Sequence, residues 1–293
     1  MKRLAYRIIF VLWLLTLATA SELNAPSALA QDPDLSEWSF LMSFRPTTCT
    51  QERIKKRDGS PDQWLVHFIE DARGQVNLDF YSVKITKLPK VGGQILTPEK
   101  FLEFVRFHFD DEFINQKFAH FRLYELQDGI KWKSANPLDA VLTFEIRFPP
   151  DPSIPQPSPL TNPDDASVIT SYFDGKKWIF TTLHTTKDLG HPVSGNRMWG
   201  IAPQADGTSL FYIRGADRLT PNSIPIPDAI LARIVFGSAD QLWRSFQESL
   251  VNFVNGHEGS AARQVTFSKR FDWEPVKKQF FKPTTPRDVC TAC

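Results

Sequence analysis

Cysteine is scarce in this 293-residue sequence, with three in all, and that excludes the disulfide-dense scaffolds of small secreted domains. Charge of one sign is not in excess either. The 34 basic and 33 acidic residues leave a net charge of +1, so no field is present that would steer nucleic acid. The one basic cluster, Arg53-Ile54-Lys55-Lys56-Arg57, lacks interleaved aromatics and runs into a Gly59-Ser60-Pro61 turn, which reads as a solvated loop. Long apolar runs are missing as well. The longest, 8–20, ends at polar Ser21, Glu22 and Asn24, short of the roughly 20 apolar residues that a membrane-spanning helix requires. No phosphate-cradling glycine loop occurs, and no internal repeat. His67, His108, His120 and His257 are scattered, and His184 and His191 stand seven apart outside any helical pattern, so neither a metal nor a cofactor is expected.

What is present begins with an address. Lys2, Arg3 and Arg7 precede the apolar stretch 8–20, the layout of a secretion signal. Two small-x-small cleavage sites follow, Ala18-Thr19-Ala20 and Ala28-Leu29-Ala30, and the second leads into acidic, extended Gln31-Asp32-Pro33-Asp34. Residues 1–30 are therefore expected to be removed, leaving a secreted or periplasmic chain with no transmembrane segment. In an oxidising compartment three cysteines imply one bridge and one free thiol, or an intermolecular link. Cys290 and Cys293 have CxxC spacing, but they close the chain behind Pro283 and Pro286 instead of opening a helix, as a redox pair would. A structural staple from Cys49 to Cys290 or Cys293 is the plain alternative.

At 42% hydrophobic and 23% charged residues the composition is ordinary for a folded domain. Residues 31–62 read as an irregular segment that docks through Trp38, Phe40, Leu41, Met42 and Phe44. A single α+β domain is expected over 63–275, interrupted by a proline-rich insertion at 149–163, with a tail at 276–293. Period-2 alternation marks strands at 64–70, 75–85, 121–125, 130–133, 140–148, 167–173, 178–183, 196–201 and 208–214. The first two look like a hairpin, with Val76, Leu78 and Phe80 alternating against Asn77 and Asp79. Thr97-Pro98 opens an amphipathic helix over 98–115, with Phe101, Leu102, Val105, Phe109 and Phe113 on one face. Ser238 and Gln241 match a capping box, and Leu242, Trp243, Phe246, Leu250, Phe253 and Val254 then keep helical spacing up to Gly256. This predicts a long helix over 239–255, preceded by a shorter one over 228–236. Residues 265–271 read as a last strand or an extended tail.

The most unusual segment is the loop around Gly190-His191-Pro192-Val193-Ser194-Gly195-Asn196-Arg197, followed by the strand end Arg214-Gly215-Ala216-Asp217-Arg218. Read functionally, His191 is an acid-base group and Arg214 and Arg218 contact an anion. Read structurally, Asn196, Arg197, Arg214, Asp217 and Arg218 form a turn and an Arg–Asp network that holds the loop. Ser194 lacks the first glycine of a nucleophile elbow and does not sit between a strand and a helix, which leaves His191 and Ser194 as the weak catalytic candidates.

The run Gly190-His191-Pro192-x-Ser194-Gly195, the strands after it and the long terminal helix resemble an uncharacterised bacterial secreted family associated with START/Bet v1-like, helix-grip domains. The resemblance covers about 165–255. It implies a curved antiparallel sheet packed against a long C-terminal helix over an apolar cavity, and it carries over no catalytic residue. The 24 Phe and 8 Trp fit that picture. Trp243, Phe246, Leu250 and Phe253 of the helix would face Phe144, Ile146, Ile179 and Phe211 of the sheet, either interdigitated or lining a void. Three functions follow: binding of an apolar or amphipathic small molecule such as an acyl chain or sterol, a hydrolase centred on the 184–197 loop, or a surface interaction module.

Overall fold

The computed structural model describes residues 34–57, 64–147, 164–186, 191–221 and 227–282. The expected signal, the proline-rich insertion, Leu189-Gly190 and both C-terminal cysteines lie outside them. Cys49 is not a free thiol. In chain order the elements are the helices α1 (Ser39–Ser43) and α2 (Thr48–Lys55), then strands β1 (Leu65–Val66), β2 (Arg73–Lys87), β3 (Lys90–Val91) and β4 (Gln94–Ile95). Next come α3 (Pro98–Phe107), β5 (Ala119–Leu123), α4 (Leu126–Trp132), β6 (Val141–Ile146), β7 (Asp164–Phe173), β8 (Lys177–His184), β9 (Val193–Pro203) and β10 (Ser209–Leu219). The chain continues with α5 (Asp228–Gly256), β11 (Ser260–Arg263), β12 (Phe267–Phe271) and α6 (Trp273–Phe280).

Ten strands make one sheet in the order β11-β2-β10-β9-β8-β7-β6-β5, with β1 on β8 and β12 on β2. Every pairing is antiparallel. The expected hairpin of 64–70 with 75–85 does not form. The 15-residue β2 has β10 along one side and β11 and β12 end to end along the other, so β1 finds its partner on β8 instead.

Strand alternation gives the sheet two buried faces. On one, Tyr81, Trp178, Phe180, Trp199 and Phe211 pack against α3 and α5. On the other, Val76, Leu78, Ile179 and Met198 pack against Trp38, Leu41 and Met42 of the N-terminal segment and Trp273 and Val276 of α6. The docking expected of the N-terminal segment therefore occurs in helical form. Phe40 is the exception, about half exposed.

One helix stands where two were expected. α5 runs unbroken for 29 residues, a span of about 43 Å at 1.5 Å per residue, and Ser238 is buried in its interior rather than capping an end. A glycine inside a helix costs about 1 kcal/mol relative to alanine. Burial of Phe236, Leu242, Trp243 and Phe246 on either side of Gly237 outweighs that. Instead of the expected strand 130–133, residues 130–132 end α4 and Lys133 is its C-cap, with Gly129 letting the helix sit directly on Leu123. The helix expected over 98–115 is α-helical to Phe107, with Thr97 Oγ1 capping Lys100 N at 3.3 Å. A π-helical turn, Phe109–Phe113, follows and buries both terminal phenylalanines.

Candidate functional site

Three adjacent strands build the site by register. Arg197 of β9, Gly215 of β10 and Asp79 of β2 stand abreast, and in the next row on the same face stand Gly195, Asp217 and Asn77. Each row thus carries one glycine between or beside two polar side chains. A Cβ on Gly215 would overlap Arg197 Nη2 and come within 2.6 Å of Asp79 Oδ1. The missing side chain is what lets the guanidinium of β9 reach across β10 to the carboxylate of β2.

The contact is bidentate, Nη1 to Oδ1 at 2.6 Å and Nη2 to Oδ2 at 2.7 Å, and Nη2 also reaches Asp217 Oδ2 at 3.1 Å. Asn77 Nδ2 donates to Asp79 Oδ2 at 2.9 Å and to Asp217 Oδ1 at 3.4 Å. Asp79 is fully buried, and Asp217 is 5% exposed. Arg197 also lies under the Trp243 ring, 4.8 Å from its centroid. One cation therefore faces two carboxylates out of water. Burial pushes the Asp217 carboxyl up, and Asp79 adds to this, while Arg197 and Asn77 only partly offset it. One row further on, Tyr81 donates to Asp240 of α5 at 2.6 Å. Burial, then Asp79 and Asp240, raises the Tyr81 phenol.

Above this cluster lies a cavity of about 100 Å³. Its walls are mostly apolar, among them Phe144, Ile146, Val168, Leu242 and Trp243, and its floor includes Arg197 and Asp217. Its roof is the stretch of α5 where Ser238 and Ala239 replace the bulky side chains found further along, and opposite them the sheet offers Gly195. Space is left where α5 carries small side chains.

His191 lines the same cavity. Its Nδ1 accepts from Val193 N at 3.2 Å, and burial, then His67, pushes its pKa well down, so the ring is neutral near pH 7. Ser194 is absent from the lining, and its Oγ is bonded to Thr220 Oγ1 at 2.8 Å. The two candidates for acid-base and nucleophile do not face one another.

The remaining site residues divide between the cavity, the core beside it and the opposite face of the sheet. Phe144, Ile146 and Trp243 line the cavity, whereas Phe211, Phe246 and Leu250, with half-buried Phe253, belong to the packed aromatic core beside it. Ile179 points to the opposite face, because Trp178 and Phe180 take the inward positions on β8. Asn196 also faces away from α5: it accepts from Thr181 Oγ1 at 2.7 Å and donates to Leu41 O and Phe44 O at 2.9 and 3.1 Å. Arg214 is bonded to Glu37 and stacked on Trp38 and Phe80. Arg218 donates to Ile69 O and Gly74 O and lies over Trp273. Of the expected Arg–Asp network, only Arg197 and Asp217 meet, and their shared partner Asp79 has the sequence signature of a solvent-facing strand position. Among the described residues no group of three or more His, Cys, Asp or Glu is placed to hold a metal ion.

The sheet, the single long helix across it and the cavity between them make a helix-grip architecture. No family model and no curated protein matches the chain. Similar solved structures include ginseng major latex-like protein 151 from Panax ginseng, at 10% identity over 60% of this chain and 96% of that one, with a TM-score of 0.35. A START superfamily protein from Mycobacterium smegmatis is 8% identical over 57% of this chain and 95% of that one, with a TM-score of 0.32. The di-domain ARO/CYC StfQ from the steffimycin biosynthetic pathway is 12% identical over 61% and 52%, with a TM-score of 0.36. Superposition at this level adds nothing to the assignment, which rests on the strand order and on α5.

Proposed function

We propose that this chain is an exported binding protein for an apolar or amphipathic small molecule held between the sheet and α5. The observation that carries this reading is the cavity between the sheet and α5, with apolar walls and a confined polar floor. Close packing is the rule inside proteins, and a ligand pocket is where it is relaxed. Size narrows the occupant. An engineered apolar cavity of about 150 Å³ takes up benzene, whereas drug-sized ligands occupy about 300–1,000 Å³. A ring-sized molecule fits about 100 Å³ with little adjustment, and an acyl chain or sterol enters only if the walls move apart.

Ala239→Leu places a larger side chain in the roof and tests the reading directly. Wild-type protein should take up small aromatic probes such as toluene, detected by ligand-observed NMR, and the variant should not. Equal uptake by both proteins would remove the cavity from consideration.

Export and the staple belong to the same proposal. Residues 1–30 would be cleaved, so N-terminal sequencing of protein from the culture medium or periplasm should begin at Gln31, or at Ser21 if the earlier site is used. The intact Met1 terminus there would count against it. Cys49 would pair with Cys290 or Cys293, closing a loop worth on the order of 4–5 kcal/mol in the chain-entropy picture. Non-reducing peptide mapping that links Cys49 to neither cysteine would discard the pairing.

A further inference from the structure

We infer that the cavity selects by charge, accepting small molecules whose polar group is a neutral hydroxyl or a protonated amine and rejecting those that carry a carboxylate. This rests on the binding role proposed above and goes further by naming the polar group. The basis is the count and placement of charges on the floor. Arg197 is the only cation in the buried cluster, and Asp79 already holds it through two hydrogen bonds at 2.6 and 2.7 Å. Asp217 is a second carboxylate on the same guanidinium, so the cluster carries one more acid than base. The groups facing Asp217 are Arg197 of β9 and Asn77 and Asp79 of β2. From α5 the only carboxylate near is Asp240, which is engaged by Tyr81, Ser268 and Arg270. Burial, then His67, pushes the pKa of His191 at the cavity wall down. Among the described residues that line the cavity, no cation is left over for an incoming anion.

The three kinds of polar group differ sharply in such a place. A carboxylate would add a further negative charge beside a guanidinium that Asp79 already holds, out of water, which is costly unless it is neutralised. A hydroxyl leaves the charge unchanged and can bond to the Asp217 carboxyl. An ammonium supplies the missing countercharge. Because the second acid is held partly protonated by burial and by its neighbour Asp79, an ammonium bound there displaces a proton from Asp217 to solvent, and the cluster with its ligand ends neutral.

The test uses four molecules of nearly one shape and the full chain: toluene, benzyl alcohol, benzylamine and benzoate, measured by titration calorimetry at pH 6. Benzyl alcohol and benzylamine should each bind at least about tenfold more tightly than benzoate, a difference of about 1.4 kcal/mol. Benzylamine binding should release protons, seen as a heat that varies with the ionisation enthalpy of the buffer, while toluene binding should not. Asp217→Asn should remove the proton release and the preference for the amine. Benzoate binding as tightly as benzyl alcohol, or benzylamine binding without proton release, overturns the charge rule and leaves the cavity reading standing. Failure of all four to bind, toluene included, sinks the cavity reading and this inference with it.

Discussion

The same helix covers two unlike halves of the same sheet. Along its C-terminal part α5 presses Phe246, Leu250 and Phe253 into a cluster with Phe109, Phe113, Trp178, Phe180, Trp199 and Phe211. Ring contacts there include edge-on Phe180–Trp199 at 4.9 Å and stacked Trp178–Trp199 at 5.6 Å. About two turns earlier, at Ser238 and Ala239, the helix leaves a hollow above a buried ion cluster. Large aromatic content does not by itself open a cavity. The rings fill space where they are dense, and the hollow forms where α5 carries small residues.

The sharpest way to break this contrast is to remove the charge beneath the hollow. Arg197→Ala leaves Asp79 and Asp217 buried without a counter-ion, and the expected loss is about 3–5 kcal/mol, read from the midpoint of chemical denaturation. A loss below about 1 kcal/mol would mean that the cluster is hydrated and not a sealed floor. In the packed half, Phe246→Ala should cost about 3–5 kcal/mol through cavity formation, with ring-sized probes then finding a second site. In the hollow half, Ala239→Leu should change stability by less than about 1 kcal/mol in either direction, since added volume meets existing space, while abolishing probe uptake.

A pH series separates the halves further. The Asp217 carboxyl is held above its ordinary value, so the folded state binds a proton that the unfolded chain has already released. Its contribution to stability is present at pH 4 and is lost as pH rises toward neutrality. Asp217→Asn has no such term, so its stability relative to wild type should improve across that interval, whereas Phe246→Ala should show a constant offset. Parallel curves for Asp217→Asn and wild type would show the carboxyl to be ordinary. The smallest effect is expected at Gly237→Ala. A Cβ there meets nothing within 4 Å, so a gain of about 0.5–1 kcal/mol should follow from helix propensity alone.

Much of the sheet could be read from alternation, because β6 to β10 each keep one apolar face, and α3 announced itself through Thr97 and Pro98. The ion cluster could not. Asn77 and Asp79 alternate with Val76, Leu78 and Phe80 as solvent-facing residues do, and only the register that brings Gly215 and Arg197 alongside shows them to be buried. Period-2 reasoning reports that two faces differ and is silent on whether a second layer covers the polar one. The same gap hid the docking of α6 and placed Ile179 on the wrong side. At Ser238 the local signal for a helix start was present, and the apolar stripe continuing from Leu231 through Phe236 into Leu242 overrode it.

The arrangement around β2 has a kinetic consequence. Its partners are Ser209–Leu219 on one side and Ser260–Arg263 and Phe267–Phe271 on the other, all synthesised more than a hundred residues after it. Until those segments emerge, a 15-residue strand rich in β-forming side chains has both edges unpaired. Such long-range pairing folds slowly, and an unpaired apolar strand is a site for association with other chains. During that interval the polar Asn77 and Asp79, destined for burial, keep the nascent strand hydrated at its centre. Asn77 and Asp79, which bond to Arg197 and Asp217 beneath the finished cavity, thus stand where gatekeeper residues interrupt an aggregation-prone strand.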